Sequence, residues 1–573
     1  MNNRFNIEKS IYMMMIFVAI IGLFFMAIRS EYFVQYRHFS YTVEADPPEQ
    51  SVDQLARSYE QPSFLMLVSP DYPDLAETLT SVIERLGKKV TKQSISEPLR
   101  LTSSYAGIII ATENIHAMPD VGAILTYAES GGSVFFAVRP SPGPALSALY
   151  QHLGMVETGT FIETGGIELA EPFFDSSFSK SFPSKRIQNS SLAVRLDNTA
   201  SLYASSTDGT PLLWKIMHGS GRFIVFNGSM LADSSQSALF IKGMQLMVPH
   251  FIYPVMNAKV TALEGFPFPV PKGRHEIGNM TNEEFFRHTF WAGMQRLEAK
   301  FDLNYTASFV ASFEDQQTKF NPYELSSAQE NAIVYGRELL RMGGEVAVQG
   351  YNHLPIDGMN KSDVAILQQD TADRIAHALP GYSVRSYIPV EQENPFSHLS
   401  VIRTVFPDLR AVMAPVEEAF IQDDGLAVLP KTITGFDSTA YTDWLVFNEL
   451  ASSGFFSHSL MPQSFLYEDS FEESFQELTD FQKRLKKDVP WLRGLTLSNA
   501  ARSLSNYTNT VVFEEKTGQG VAFHVNTLVF PAYFYFSTDQ RITSTENCEV
   551  TKIGNNLYLI QAEDLTFKIG LDG

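Results

Sequence analysis

The chain has 573 residues, 44% of them hydrophobic and 12% aromatic, and a formal net charge of −21. That length calls for several domains, and the composition is that of folded cores. The charge excludes a nucleic-acid-binding surface, which needs a basic face for phosphates, and a broad basic membrane-binding face; it suits a neutral or cationic partner, and equally solubility outside the cell. The single cysteine, Cys548, excludes an intramolecular disulfide and every cysteine-rich zinc site. Any metal would have to be held by His, carboxylate or amide groups.

Residues 11–28 form an unbroken run of apolar and small side chains, about the minimum that spans a bilayer. Arg4 and Lys9 precede it and Arg29 and Arg37 follow, so the positive-inside rule gives no orientation. No small-x-small cleavage site follows, which predicts a retained single-pass helix. The expected layout is a cytoplasmic tail (1–10), a transmembrane helix (11–28), a polar tether (29–62) and an extracytoplasmic bulk on the cytoplasmic membrane.

Residues 63–250 alternate strand and helix patterns: strands at 64–68, 107–111, 134–138 and 222–227, helices at 75–86, 123–128, 144–153 and 237–247. Repeated βα units predict a parallel sheet covered on both faces. The stretch resembles flavodoxin-like, glutamine-amidotransferase-like domains. It contains no Cys, so the amidotransferase nucleophile is absent, and binding or scaffolding is expected instead.

From residue 251 the order is strand (258–263), long amphipathic helix (283–300), strand (305–312), helix, the stop Gly343-Gly344, and a short core strand 345–348. The polar tip Gln349-Gly350-Tyr351-Asn352-His353 follows. Gly ends the helix because it takes the left-handed conformation without a Cβ clash. The tip then lies at a strand's carboxyl end, where α/β sheets carry their chemistry.

This order, with helix, Gly-Gly, strand and X-G-Y-N-H, resembles the second motif of the polysaccharide deacetylases (NodB-homology fold). It resembles in particular the membrane-anchored deacetylase-like proteins of Pel-type exopolysaccharide operons in Gram-positive bacteria. The resemblance covers about residues 258–497 and implies a (β/α) barrel. It also implies one divalent metal, zinc or cobalt, that polarises an acetyl carbonyl and lowers the pKa of the attacking water. A carboxylate base and a His acid would complete the chemistry.

Carried over residue by residue, the resemblance makes Glu264 the base, Arg385 of Arg385-Ser386-Tyr387-Ile388-Pro389 its orienting partner, and His458 the acid. The metal positions become His353 and Gln349, and Tyr351, Tyr387 and Trp444 become substrate contacts. The departures are specific. Glu264-Gly265 stands where relatives have Asp-Asp, so a carboxylate ligand is missing. Gln349 replaces a His, and an amide oxygen is a weak zinc ligand. After His458, the His-Pro-acid-acid tail reads Met461, Pro462, Gln463 and Ser464. All three changes remove metal-binding or acidic groups.

Weaker signals are Thr442-Asp443-Trp444 as a fourth motif, His275-Glu276-Ile277-Gly278-Asn279 as a His motif, and Phe313-Glu314-Asp315 as a displaced acidic pair. Glu264 with Glu314 or Asp315 is also the one carboxylate pair available for glycoside hydrolysis. The barrel is assigned to 251–505 and a β-rich accessory domain, read from six alternating segments, to 506–573.

The expectation is therefore an α/β protein: a flavodoxin-like domain, a deacetylase-like barrel and a small β-domain behind one transmembrane helix. It would bind an amino-sugar polymer, or scaffold exopolysaccharide synthase proteins in biofilm formation, as a pseudoenzyme without a metal. The alternative is an active metal-dependent N-deacetylase.

Overall fold

The computed structural model describes residues 12–21 and 52–572, apart from 102–104, 176–179, 276–278, 313–319, 324, 326, 354, 391–392, 437, 465, 467–469 and 527–528. Residues 12–21 are helical. Among the described residues no helix is long and apolar enough to cross a membrane. Residues 1–11 and 22–51, with the rest of the apolar run and most of the expected tether, lie outside the described residues. The end of that tether needs correction: Val52–Ser58 is a helix with Leu55 buried, and Glu60 pairs with Glu514 of the terminal sandwich.

The first unit is a mixed nine-stranded sheet. Its first half runs Lys89–Ser94, Ser63–Val68, Tyr105–Ala111, Ser133–Phe136 and Gly221–Phe226, all parallel. These are buried runs such as Ile108-Ile109-Ile110, as expected for strands covered on both faces. The expectation of a wholly parallel sheet needs correction beyond Gly221–Phe226. There the chain pairs antiparallel through Pro211–His218, Ser201–Ser205, Ile167–Leu169 and Ser181–Phe182. The physical reason is the tight turn between His218 and Gly221, with Gly219 at φ +58°; a two-residue connection can join only antiparallel strands.

The second unit is a half-barrel. Its strands run, neighbour to neighbour, Ala427–Pro430, Ala411–Ala414, Ser386–Tyr387, Glu345–Val348, Thr306–Phe309, Ala258–Phe266, Phe455–Leu460 and Ile433–Thr434, all parallel. The short Phe420–Ile421 strand adds antiparallel at one end. Arg493–Leu495 pairs with the first half of Ala258–Phe266, on the edge that Thr306–Phe309 takes further along. Lys431-Thr432 carries the chain across the open seam, from Pro430 at one end to Ile433 at the other. Ser457 ties the seam: its hydroxyl donates to the Pro430 carbonyl at 2.5 Å and accepts from Thr432 N–H at 3.0 Å.

Strand alternation decides what faces the concave side. Ala258, Val260, Ala262, Ala347, Met413, Ala427 and Leu429 form one apolar cluster there. The helix Leu497–Asn509 fills its lower part with Leu497, Ala500, Ala501 and Leu504. The small side chains let that helix approach. Its amino end is held by Glu345, whose carboxylate accepts from Ser498 N–H at 3.0 Å and from the Ser386 hydroxyl at 2.7 Å. The upper, carboxyl-end half of the concave face is polar.

The third unit is a sandwich of two four-stranded sheets. All six segments read from the sequence are strands. One sheet also takes its edge strand, His250–Val255, from ahead of the barrel, paired antiparallel with Ala532–Thr538. The barrel is thus an insertion between the first strand of the sandwich and the rest. A buried ion pair links sandwich to first unit: Lys88 Nζ lies 3.4 Å from Glu514, which also accepts from His250 at 3.1 Å.

Candidate functional site

The polar half of the concave face is built from positions that continue the inward alternation. Ala262 leads to Glu264, Thr306 to Ser308, Ala347 to Gln349, Leu429 to Lys431 and Ser457 to Ser459. These five side chains meet at the strands' carboxyl ends.

Glu264 is their centre and is 2% exposed. Its Oε1 accepts from Lys431 Nζ at 2.7 Å and from the Ser459 hydroxyl. Its Oε2 accepts from the Gln349 amide at 3.1 Å. Gln349 Oε1 in turn accepts from Gly265 N–H at 3.1 Å, the Ser308 hydroxyl at 3.2 Å and His353 Nδ1–H at 3.2 Å. The Gln463 amide donates to the remaining imidazole nitrogen, His353 Nε2, at 3.3 Å. These partners assign neutral His353 with its proton on Nδ1. Burial acts in the same direction and holds its pKa below the usual imidazole value, against the pull of Glu264. His353 itself adopts the left-handed conformation at φ +59°, which turns its ring back over Gln349.

Sequence reasoning thus brings together Glu264, Gln349 and His353. The other carried-over residues lie elsewhere. His458 is on the same strand as Ser459 but one residue out of phase, so its ring faces outward onto Phe481 and its Nε2 bonds the Gly435 carbonyl at 2.7 Å. Burial depresses its pKa to about 4. Arg385 lies at the amino end of its strand, with its carbonyl bonded to Arg410 and Ala411 N–H, on the rim opposite Glu264. Of that motif only Pro389 reaches the site, its carbonyl 3.4 Å from Lys431 Nζ. Tyr387 also points outward and donates to Glu393 at 2.5 Å. The Tyr351 hydroxyl meets Arg374 at 3.4 Å behind the rim. Trp444 is buried against Phe182 of the first unit and bonds Gln236.

The minor signals divide similarly. Asp443 pairs with Arg484 at 2.8 Å, and burial raises its pKa to about 6. His275 stacks on Phe285 with ring centroids 3.4 Å apart, a packing role, while Glu276, Ile277 and Gly278 lie outside the described residues. Phe313, Glu314 and Asp315 also lie outside them.

Three residues of the cluster escaped sequence reasoning, Ser308, Lys431 and Ser459, while Gln463 was singled out only as a departure in the tail after His458. The available signal was alternation, because each of the three sits two positions beyond an inward strand residue. Lys431 pairs with Glu264 as the resemblance would have Arg385 do.

The cluster does not fit a divalent metal. Gly265 offers no ligand, and a Cβ at that position would meet the Gln463 amide at 2.9 Å. Gln349 Oε1 already takes three donors, and His353 Nε2 is engaged by Gln463. Among the described residues no group of three or more His, Cys, Asp or Glu side chains is placed to hold a metal ion.

Comparison with known proteins gives a family and a fold. The sequence profile of the family described as "Uncharacterised protein conserved in bacteria (DUF2194)" matches residues 178–559. No curated protein matches the chain. The crystal structure of Agd3, described as a novel carbohydrate deacetylase, aligns at 10% identity over 89% of this chain and 98% of that one, with a TM-score of 0.54. At that identity the likeness establishes the fold alone. Two shorter alignments each cover 43% of this chain. A peptidoglycan deacetylase, PdaC from Bacillus subtilis, is 12% identical over 91% of its chain at TM-score 0.27. The Xyl-CE4 domain of a xylanase from the hindgut metagenome of Trinervitermes trinervoides is 13% identical over 91% of its chain, also at 0.27. Scores that low carry no argument.

Proposed function

This chain belongs to the DUF2194 family of bacterial proteins, and from its deacetylase-like fold and its altered barrel mouth we propose a carbohydrate-binding role without metal-dependent deacetylation. The ligand in this reading is an amino-sugar polymer of a Pel-type exopolysaccharide. The 11–28 segment tethers the protein to the cytoplasmic membrane, with its bulk outside, beside the synthase proteins.

One observation carries the reading: the groups that would hold a metal, His353 and Gln349, are bonded to one another, and the group that would act as base is bonded as well. Lys431, Ser459 and Gln349 occupy both oxygens of Glu264, and Gln463 fills the space above Gly265. A base must be within reach of the proton that it abstracts, and this carboxylate is turned into the protein by three donors. The fold's polar rim and a net charge of −21 remain compatible with a cationic, partly deacetylated polymer.

The test is calorimetric titration of the full-length protein with zinc and with cobalt, beside acetate release from acetylated amino-sugar oligomers and co-sedimentation with the polymer. The reading expects co-sedimentation, no saturable metal binding and no acetate. Micromolar metal binding that is lost in His353→Ala, together with acetate release lost in Glu264→Gln, would establish the deacetylase alternative instead.

A further inference from the structure

A second polar site lies between the first unit and the sandwich, away from the barrel mouth. The antiparallel pairs Lys215–Ile224 and Met217–Arg222 put these four side chains on one face of the first sheet. The helix Ala238–Met247 packs over the upper part of that face, where Ile224 shares a core with Phe240 and Met244. Towards the helix's end the face is uncovered, and a cleft of about 490 Å³ opens there, within the roughly 300–1,000 Å³ usual for small-ligand sites.

Three cations line it: Lys215 and Arg222 from the sheet and Lys242 from the helix. That is a local excess in a chain whose net charge is −21. Among the described residues none of the three is in an ion pair. Arg222 Nε is buried without a hydrogen-bond partner, and such atoms in native proteins call for an explanation. Lys215 and Lys242 flank the Tyr203 ring, with their ammonium groups 5.8 and 5.6 Å from its centroid. Burial lowers the pKa of Lys242, while Asp539 and Glu171 oppose that shift.

The same cleft is lined by those two carboxylates, each held by an asparagine of the 554–557 turn. Asn555 donates to Glu171, and Asn556 donates to Asp539 at 2.7 Å. Each keeps acceptor capacity for hydroxyl groups.

We propose that this cleft binds a sugar acid, its carboxylate among Lys215, Arg222 and Lys242 and its hydroxyls donating to Glu171 and Asp539. Tyr203 supplies the apolar face for the ring. A cation cluster alone would take any small anion; the carboxylates lining the same cleft repel a bare anion and select one that carries hydroxyl donors. The inference does not rest on the barrel reading.

The experiment is calorimetric titration of the full-length protein with D-glucuronate, D-glucose and inorganic phosphate. Saturable glucuronate binding is expected, with glucose and phosphate each at least tenfold weaker. Lys242→Gln and Arg222→Gln should each weaken glucuronate at least tenfold with the folded circular-dichroism spectrum retained. If Arg222→Gln fails to fold, Lys215→Gln takes its place. Absent glucuronate binding, equal affinity for glucose or phosphate, or wild-type affinity in the folded variants would each overturn the proposal.

Discussion

Lys431 Nζ lies 2.7 Å from Glu264 Oε1, and both side chains are more than nine-tenths buried. The two residues are 167 positions apart in sequence and meet because Lys431 crosses the barrel seam just where Glu264 points inward. The pair is the electrostatic centre of the barrel mouth. Removing one partner strands the other charge in a site that excludes water, which is far costlier than the pair's own net worth.

Lys431→Met should therefore destabilise the protein by about 3–5 kcal/mol. The double variant Lys431→Met/Glu264→Gln should recover most of that loss, because no charge is left buried. Chemical denaturation of the two variants beside wild type measures both. A loss under about 1 kcal/mol in the single variant, the range of exposed pairs, would show that the pair is solvated.

Gly265 sits at φ +80° with Gln463 packed where a Cβ would go. Gly265→Asp alone should destabilise the barrel and leave cobalt unbound. Gly265→Asp/Gln349→His/Gln463→Gly should bind cobalt, since it supplies a carboxylate and a second imidazole and frees His353 Nε2. The visible absorption of bound cobalt reads this directly. Cobalt binding by the Gly265→Asp single variant would refute the blocking role of Gln463.

His458 should make stability depend on acid. Its folded pKa of about 4 lies below the ordinary value near 6.5, so the unfolded chain binds the proton first as pH falls. The stability associated with neutral His458 is fully present above about pH 6.5 and is lost as pH falls through 4, by roughly 3 kcal/mol in all. His353 is shifted in the same direction. Unfolding free energies at pH 7 and pH 4 should converge or cross between wild type and His458→Leu. An unchanged difference would mean that His458 is not buried neutral.

Glu345 holds the amino end of the helix that fills the barrel's lower half. Glu345→Ala removes that acceptor and leaves the Ser386 hydroxyl buried without its partner. A loss of about 1–3 kcal/mol is expected. Amide protection in residues 497–509 should fall more than in the first unit. Uniform loss of protection across the chain would argue against a local role.

Much of the architecture was readable along the chain. The strand 345–348 matches the structure at both ends, because Gly343-Gly344 mark the helix stop and a short apolar run can only be a core strand there. The six segments of the terminal sandwich were readable as short runs rich in β-branched and aromatic residues bounded by turns, although strands such as Ala532–Thr538 are buried on both faces and do not alternate. The antiparallel half of the first sheet did not read, because Ile167–Leu169, Ser181–Phe182 and Ser201–Ser205 are too short and too polar to show either the continuous apolar run of a doubly covered strand or a regular alternation. The origin of the sandwich's edge strand ahead of the barrel was also out of reach, since pairing as distant as His250 with Thr538 leaves no local mark.

The site divides along the same line. Local sequence determined that Glu264, Gln349 and His353 share a rim, because each belongs to a strand end or the loop just after one. It also determined that Gly265 offers no ligand. Only the tertiary structure decided the phase of each strand, which turns Ser459 inward and His458 outward though they are adjacent, and the seam crossing that makes Lys431, not Arg385, the partner of Glu264. Phase and closure depend on how separate strands register against one another, and that information is held in the packed sheet rather than in any one segment.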